Sequence, residues 1–530
     1  MSKRQRKQAK PAASRGRRAY EGAVVSRLTS DWVTSSTSAD AEINSSLVRL
    51  RNRSRQLVRD NAYARQALRA IACNVIGHGI RLQAQVPMQR GGGRLDERLN
   101  RQIETAWDRW CRPSTCHTAG RLSFVEISRL AIQAMAESGE VFIRMVPQAF
   151  GGSSVPLALE VLEADLVKED KNDGPAPDGS EWRMGVKVDR WGRPLSYAFR
   201  TRHPGDIQNG LGHQLVEVPA AEILHLAMIE RPGQTRGVPM FAAAIKRLHH
   251  LAGYEEAEVV RARAASSLMG FITSPEGAGE MLGEEVVEGE HVSNFEPGVF
   301  KTLFPGQSVT VPTLDAPDGQ FEPFMRAMLR AVAATTGVPY PSLSADYSQT
   351  NYSSSRLELL ESREHWRTLQ QFMIEHLHRP VFEQWMRAAV AVGQLDLPGY
   401  EQMPEMYDSA KWIGRGWGWV DPEKEVNAYK DAVRCGFATQ AQIVAEQGGD
   451  LDELLVALAA ERERAQELGL TLDIDAGKVS KAGLTQARPA GSIIPQDAYM
   501  PDNVQAADSE DDQLGLDSLS QDGDSNGLDA

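Results

Sequence analysis

The sequence predicts an α+β protein that is mostly helical. Long stretches repeat apolar residues at helical spacing, and composition turns strand-prone in two limited regions, about 140–200 and 268–322. A polar loop lies between two helical patterns within Gly337 to Leu360, GVPYPSLSADYSQTNYSSSRLELL. A chain of 530 residues is too long for one hydrophobic core, so several subdomains are expected, and 42% hydrophobic content is ordinary for a folded domain.

Residues 1–44 are polar and rich in Ser and Thr, so order is expected to begin near Ser45. Leu47, Leu50 and Leu57 sit at near-helical spacing up to Asp60, which reads as the N-cap of a second helix, Asn61 to Ile76. That helix has an apolar stripe of Ala64, Leu68, Ile71 and Val75, and Gly77 and Gly79 stop it. A third helix is predicted from Asp96 to Trp110 and a fourth from Ser123 to Glu137. Glu140 to Val146 and Leu157 to Leu162 read as strands. Met184 to Val188 and Leu195 to Arg200 flank the turn Arg190 to Arg193 and read as a hairpin.

From Val238 the pattern is helical again, with Pro239 in the first turn and Ile245, Leu248, Leu251, Val259 and Val260 along an apolar side up to Ser266. Short β-prone pieces follow: Met269 to Thr273, Val299 to Phe304 and Val309 to Val311. Pro323 then opens a helix that Gly337 closes. The helix from Ser355 past Trp385 carries Trp366, Phe372, Phe382 and Trp385. Pro380 inside it predicts a kink near His376 to Arg379. Trp412 to Val420 is aromatic and glycine-rich and reads as core packing between helices. Asp421-Pro422 caps a helix ending before Gly436, and Asp450 to Leu468 forms the last one.

Charge is unevenly placed around a net −13. The first eighteen residues carry Lys3, Arg4, Arg6, Lys7, Lys10, Arg15, Arg17 and Arg18 and no acid, whereas every charged residue after Arg488 is acidic. Both ends read as disordered arms. An acidic chain is a poor general binder of duplex DNA, whose affinity comes from Lys and Arg on phosphates, yet it suits a surface past which DNA slides without sticking. No apolar run approaches bilayer length, so no membrane partner is expected, and the N-terminus has no signal-peptide core.

Catalytic signatures are missing. Gly477-Lys478 is followed by Val479, and Leu472 stands where a phosphate loop needs its first glycine. There is no G-x-S-x-G elbow. Glu375, His376 and His378 do not make the H-E-x-x-H spacing and read as structural. Cys111, Cys116 and His117 lack a second ligand pair, so the two cysteines read as buried thiols. Asp522 to Gly527 matches half an EF-hand loop, but the twelfth position would fall beyond Ala530. No catalytic residue, metal or cofactor is predicted.

Several segments, in order, resemble one family, the lambda-type phage portal proteins. They are Leu57 to Arg65, Asn74 to Leu82, Arg236 to Pro239, Glu296 to Gly298, Phe304 to Gly306, Gly337 to Tyr340, Ser344 to Arg356 and Trp417 to Glu425. The resemblance spans about residues 45–470. It implies a portal fold with a wing (45–237), two stem helices (238–267 and 323–337), a small β-rich clip (268–322), a tunnel loop (338–354), a kinked helix completing the wing (355–420) and a helical crown (421–470). The basic arm 1–44 and the acidic tail 471–530 have no clear counterpart in it.

What the resemblance implies for function is a ring of copies, typically twelve, at one capsid vertex, with double-stranded DNA passing through it in packaging and ejection. Implied partners are the terminase large subunit, a head-completion or connector protein, and a scaffold or major capsid protein. Asp346, Ser348, Gln349, Thr350 and Asn351 are the expected DNA-facing residues, with Arg326 and Arg330 four apart on one helix face. Those arginines read either as basic rings meeting phosphates or as salt bridges to a neighbouring subunit. Tyr347 and Tyr352 are expected to brace the loop. Glu284, Glu285, Glu288, Glu290 and Lys301 mark the expected docking surface of the clip. The rival readings are a nucleic-acid enzyme of terminase or nuclease type, and a capsid shell protein.

Overall fold

The computed structural model describes residues 20, 23–24, 26–88, 95–206, 214–266, 271–273, 285–287, 290–292, 308–310, 321–348, 351–418 and 421–468. The chain divides at Leu454 into a large unit and a small C-terminal unit. In the small unit the described structure is the second half of one helix, where Arg464 pairs with Glu467 at 3.0 Å. No helix among the described residues is long and apolar enough to cross a membrane.

The large unit begins with α1 (Ala39–Asp60), six residues before the expected start. Ser38 is the N-cap, its Oγ accepting from the Ala41 amide at 3.2 Å. Burial recurs at Ala39, Ile43, Leu47, Arg51, Ser54 and Val58, a stripe that includes a charge where periodicity calls for an apolar residue. α2 (Ala62–Val75) is capped by Asn61, one residue later than expected, and buries the predicted stripe Ala64, Leu68, Ile71 and Val75. Gly77 ends it with φ +56°, and a Cβ there would lie 2.6 Å from Arg415 Cδ. β1 (Arg81–Ala84) was not expected from the sequence.

α3 (Glu97–Trp110) starts on the Asp96 cap, and α4 (Pro113–Cys116) is a single short turn. α5 (Phe124–Ser138) opens with a capping box between Ser123 and Glu126 and closes on Gly139 at φ +93°. A Cβ on Gly139 would sit 2.6–2.8 Å from the backbone of Gly237, Val238 and Pro239, so the chain runs too close there for any side chain.

β2 (Glu140–Val146) is the centre of a three-stranded antiparallel sheet, between β3 (Ala158–Leu162) and β8 (Ile223–Ala227). Between β3 and β8 the chain forms an antiparallel meander of β4 (Glu181–Arg183), β5 (Val186–Val188), β6 (Pro194–Arg200) and β7 (Leu215–Pro219). The predicted hairpin is its β5–β6 pair, with a register shift at Lys187/Val188.

α6 (Ile245–Ser266) starts seven residues after Val238. Its first half buries Ile245, Leu248 and Leu251, but Val259 and Val260 are exposed, against expectation. Two short strand pairs follow: β9 (Phe271–Thr273) with β12 (Ser308–Thr310), and β10 (Glu285–Val287) with β11 (Glu290–Val292). The predicted strand Val299 to Phe304 lies outside the described residues.

α7 (Phe321–Thr336) begins two residues before Pro323. α8 (Tyr340–Ser344) is a helical turn inside what the sequence suggested was loop, and α9 (Tyr352–Met373) begins before Ser355. The polar loop is therefore 345–351. A π-turn, Ile374–His378, joins α9 to α10 (Arg379–Ala391) and ends two residues before Pro380. In this wider turn the Arg379 amide donates to the Ile374 carbonyl five residues back, just before the proline that has no amide to give.

α11 (Pro404–Tyr407) leads to β13 (Ala410–Ile413), which pairs with β1. The remaining helices are α12 (Pro422–Arg434), α13 (Gln440–Glu446) and α14 (Leu451–Glu467).

The main core is aromatic. Trp107 meets Trp110, Phe124, Phe382 and Trp385 at ring-centroid distances of 5.0–5.4 Å and Trp412 at 6.2 Å. Such pairs contribute about 0.5–1.5 kcal/mol each beyond their buried area. They tie α3, α5, α10 and β13 together, so the kinked helix and the Trp412 segment belong to one packed body.

Candidate nucleic-acid interface

The loop 345–351 reads Ala-Asp-Tyr-Ser-Gln-Thr-Asn and contains no cation. It leaves α8 through Ala345, which holds φ +57°. A left-handed non-glycine residue costs about 1–2 kcal/mol, so something must hold the turn. Asp346 does. Its carboxylate accepts from Ser348 Oγ at 2.6 Å and the Ser348 amide at 3.0 Å, and Tyr340 Oη donates to it at 2.9 Å. Arg326 stands 3.7 Å away and also pairs with Glu322. The Ser348 hydroxyl, the Ser348 amide and the Tyr340 hydroxyl together hold Asp346 down at about 2, so it is ionised at neutral pH.

Of the expected DNA-facing residues, Asp346, Ser348 and Asn351 fall in the described loop, while Gln349 and Thr350 lie outside the described residues. Asp346 is a bracing group as much as a surface one. Asn351 is exposed and its carbonyl accepts from the Ser355 amide at 3.0 Å, in the first turn of α9. The aromatic brace is Tyr340, which also lies under Arg330 with the guanidinium 5.6 Å from the ring. Tyr347 is 64% exposed. Arg326 is thus tied to its own chain's acids, an arrangement that neither reading of the sequence foresaw. In the β-rich segment, Glu285 stands opposite Val292 and Glu290 opposite Val287. Glu284, Glu288 and Lys301 lie outside the described residues.

Sequence reasoning missed a buried ionic centre. Arg51, Glu140 and Arg236 are almost fully buried, and Asp165 nearly so. Arg236 donates Nε and Nη2 to Glu140 at 2.6–2.9 Å and Nη1 to the Met184 carbonyl at 2.6 Å. The ring Nε2 of His225 lies 3.0 Å from Glu140. Arg51 reaches Asp165 at 3.0 Å, and Arg55 reaches the same carboxylate at 2.6 Å. Burial pushes the Glu140 carboxyl up, but the charges and hydrogen bonds of Arg236 and His225 outweigh it and leave Glu140 well below the carboxylate range. Glu163, Asp165 and His203 bring one ligand atom each within 4.8 Å of one another, yet two guanidiniums already hold Asp165. The donor set is that of an ion-pair network.

A cleft of about 690 Å³ beside this centre is bordered by Arg55, Arg59, Arg65 and Arg69, and also by Glu137, Glu140 and Glu163. Its mixed signs do not form the uniform basic stripe that phosphate binding needs. Cys116 is a buried thiol that burial pushes up to about 12, and Cys111 is half-buried. His378 is buried, with Nε2 3.3 Å from Ser128 Oγ, and burial drops it to about 3. Both cysteines and His378 therefore behave as core groups.

Residues 25–370 match the family model described as phage portal protein, lambda family. The chain belongs to the lambda family of phage portal proteins. A probable portal protein of Halomonas phage phiHAP-1 is 29% identical over 487 residues, covering 89% of this chain and 91% of that protein. Portal protein B of Escherichia phage lambda is 23% identical over 489 residues, covering 86% and 91%. Among solved structures, a chain from the neck of an empty gene-transfer-agent particle gives a TM-score of 0.41 at 16% identity, covering 75% of this chain and 93% of that one. A phage portal role follows from membership. The family is a structural one.

Proposed function

We propose that copies of this chain close head to tail into a ring, twelve by family expectation, that stands at one vertex of the phage head as the conduit for packaging and ejection. Duplex DNA passes through the ring without sequence-specific contact, and residues 345–351 face it. The supporting observation is that this loop has no cation and spends its one carboxylate on its own Ser348 and Tyr340. Such a surface repels phosphate weakly and cannot grip it.

In this reading the wing includes α1 from Ala39, α6 and α7 are the stem, and the segment 268–322 is the clip. The clip docks the terminase large subunit during packaging and a head-completion or connector protein afterwards. The wing meets scaffold or major capsid protein. The chain assembles in the host cytoplasm and ends in the virion.

Negative-stain images of the purified chain test the ring: a closed ring with a central hole is expected, and a compact monomer overturns it. Replacing 345–351 by a Gly/Ser segment of equal length tests the loop. Rings should persist while DNA packaging or retention falls; normal packaging would remove the loop from the channel.

A further inference from the structure

The connection from β8 into α6 is held residue by residue. Gln234 donates Nε2 to the carbonyls of Met228 and Arg236 at 3.2 and 2.9 Å. The Thr235 amide and hydroxyl donate to Asp40 at 2.8 and 2.7 Å. Arg236 and the amide of Gly237 both donate to one carboxylate, Glu140, the amide at 3.0 Å. The Met240 amide then donates to the Ala136 carbonyl, near the end of α5, at 3.0 Å. From there turns run into the helix, with the Ile245 amide on the Phe241 carbonyl and the Leu248 amide on that of Ala244, and Phe241 and Ala244 are buried.

Shape fixes the same joint. A Cβ on Gly237 would lie 2.1 Å from the Gly139 carbonyl oxygen, and Gly139 has no more room in the other direction. The two glycines let the start of β2 touch the chain that leads into α6, and the Glu140 side chain, fully buried, locks them together. Its partners are a guanidinium and an amide of consecutive residues, so the backbone there has one arrangement that satisfies the charge. No water stands ready to replace a lost partner.

We propose that Glu140 is the positioning residue that sets the direction in which α6 leaves the sheet and, through it, the bore of the ring. The direction of α6 is a property of the single chain; the bore rests on the ring reading, in which α6 is a stem helix. With 22 residues α6 is about 33 Å long, so a tilt of about 10° at its root carries the far end by roughly 6 Å. Every copy of a closed ring repeats that tilt, and the hole changes with it.

Hydrogen exchange on the unaltered full-length chain reads the joint first. The Gly237 and Met240 amides should exchange roughly a hundredfold or more slower than the amide of exposed Gly233. Similar rates at Gly233 and Gly237 would overturn the assignment. Spin labels on Leu130→Cys in α5 and His250→Cys in α6 then read the direction, with the exposed thiols removed as Cys73→Ser and Cys435→Ser and labelled chain diluted into unlabelled. One narrow distance is expected. Glu140→Gln removes the charge and Gly237→Ala forces the backbones apart, so both should shift or broaden it. Ile103→Ala empties a buried site in α3 and should lower stability without moving it. A folded Glu140 or Gly237 variant with the parent distance, or the same shift in Ile103→Ala, would overturn the positioning role. These distances lie within one chain, so they stand whether or not rings form, and missing rings would sink the ring reading alone. Where rings form, those of Glu140→Gln should vary in hole diameter; holes as uniform as the parent's would cut the link from Glu140 to the bore.

Discussion

Asp165 and Asp346 are both aspartates beside arginine, yet they sit in opposite settings. Asp165 lies in a buried centre where Arg51, Glu140 and Arg236 have almost no contact with water. Asp346 lies on an exposed loop and holds a serine, a tyrosine and a nearby guanidinium. In the first setting each charge was desolvated to get there, so losing a partner strands the other. In the second, water stands ready to replace any lost bond. The portal thus places its costly electrostatics in the buried interior beside β2 and leaves the loop cheap to disturb.

The sharpest way to break this contrast is to cut the buried centre. Arg236→Ala should destabilise the chain by about 3–5 kcal/mol, because Glu140 is left buried without its main partner. Arg144→Ala is the control: Arg144 meets Glu222 at 2.9 Å with both side chains about one-third exposed, and its loss should cost at most about 1 kcal/mol. Urea unfolding of both variants checks the ratio, and equal losses would erase the distinction drawn here.

Much of this architecture was legible because periodicity and caps are local signals. Asp421 and the glycines at 77 and 337 marked real helix ends, and the helices expected from Asp96 and Ser123 start on those residues as caps. The polar stretch between α7 and α9 stood out for the same reason. The ionic centre did not, since Arg51, Glu140 and Arg236 are far apart in sequence and only tertiary packing joins them. One hint existed: Arg51 falls on the Ile43–Leu47–Val58 stripe, and Glu140 opens an apolar strand. A charge in register with a buried face announces a buried partner. β1 and β13 were hidden because four-residue strands of mixed composition carry no alternation long enough to read. The start of α1 was hidden because Ala39 to Glu42 looks polar, although Asp40 is held by Thr235.

A second prediction sharpens the interior side. His378 is buried at the π-turn and its pKa is depressed to about 3, so the unfolded chain binds the proton more readily. Its contribution is fully present above the ordinary value of 6.5 and is lost as pH falls from there toward 3. Each pH unit in that window should cost on the order of 1.4 kcal/mol. His378→Asn should flatten that slope between pH 6.5 and 5 relative to the parent chain. An unchanged slope would mean the proton is taken up elsewhere. Smaller again, Ser123→Ala should cost about 1 kcal/mol by removing the capping box of α5, measured as a shift in the urea midpoint.

The smallest stability effect is expected at the loop. Asp346→Ala removes a partly exposed surface carboxylate, so the melting temperature of the chain should hardly move. What should change is local. The Ser348 amide loses its acceptor, and Ala345 loses the turn that holds it at positive φ. Amide exchange at Ser348 should therefore speed up at least severalfold while amides in α7 and α9 keep their protection. The pH dependence has the carboxylate sign: loop order is fully present above the ordinary value near 3.8 and is lost as pH falls through about 2. Faster exchange confined to the loop, with melting unchanged, is what an independent surface device predicts. A loss of global stability from Asp346→Ala would instead make the loop part of the same cooperative structure as the buried ionic centre, and the contrast between the two aspartates would fail.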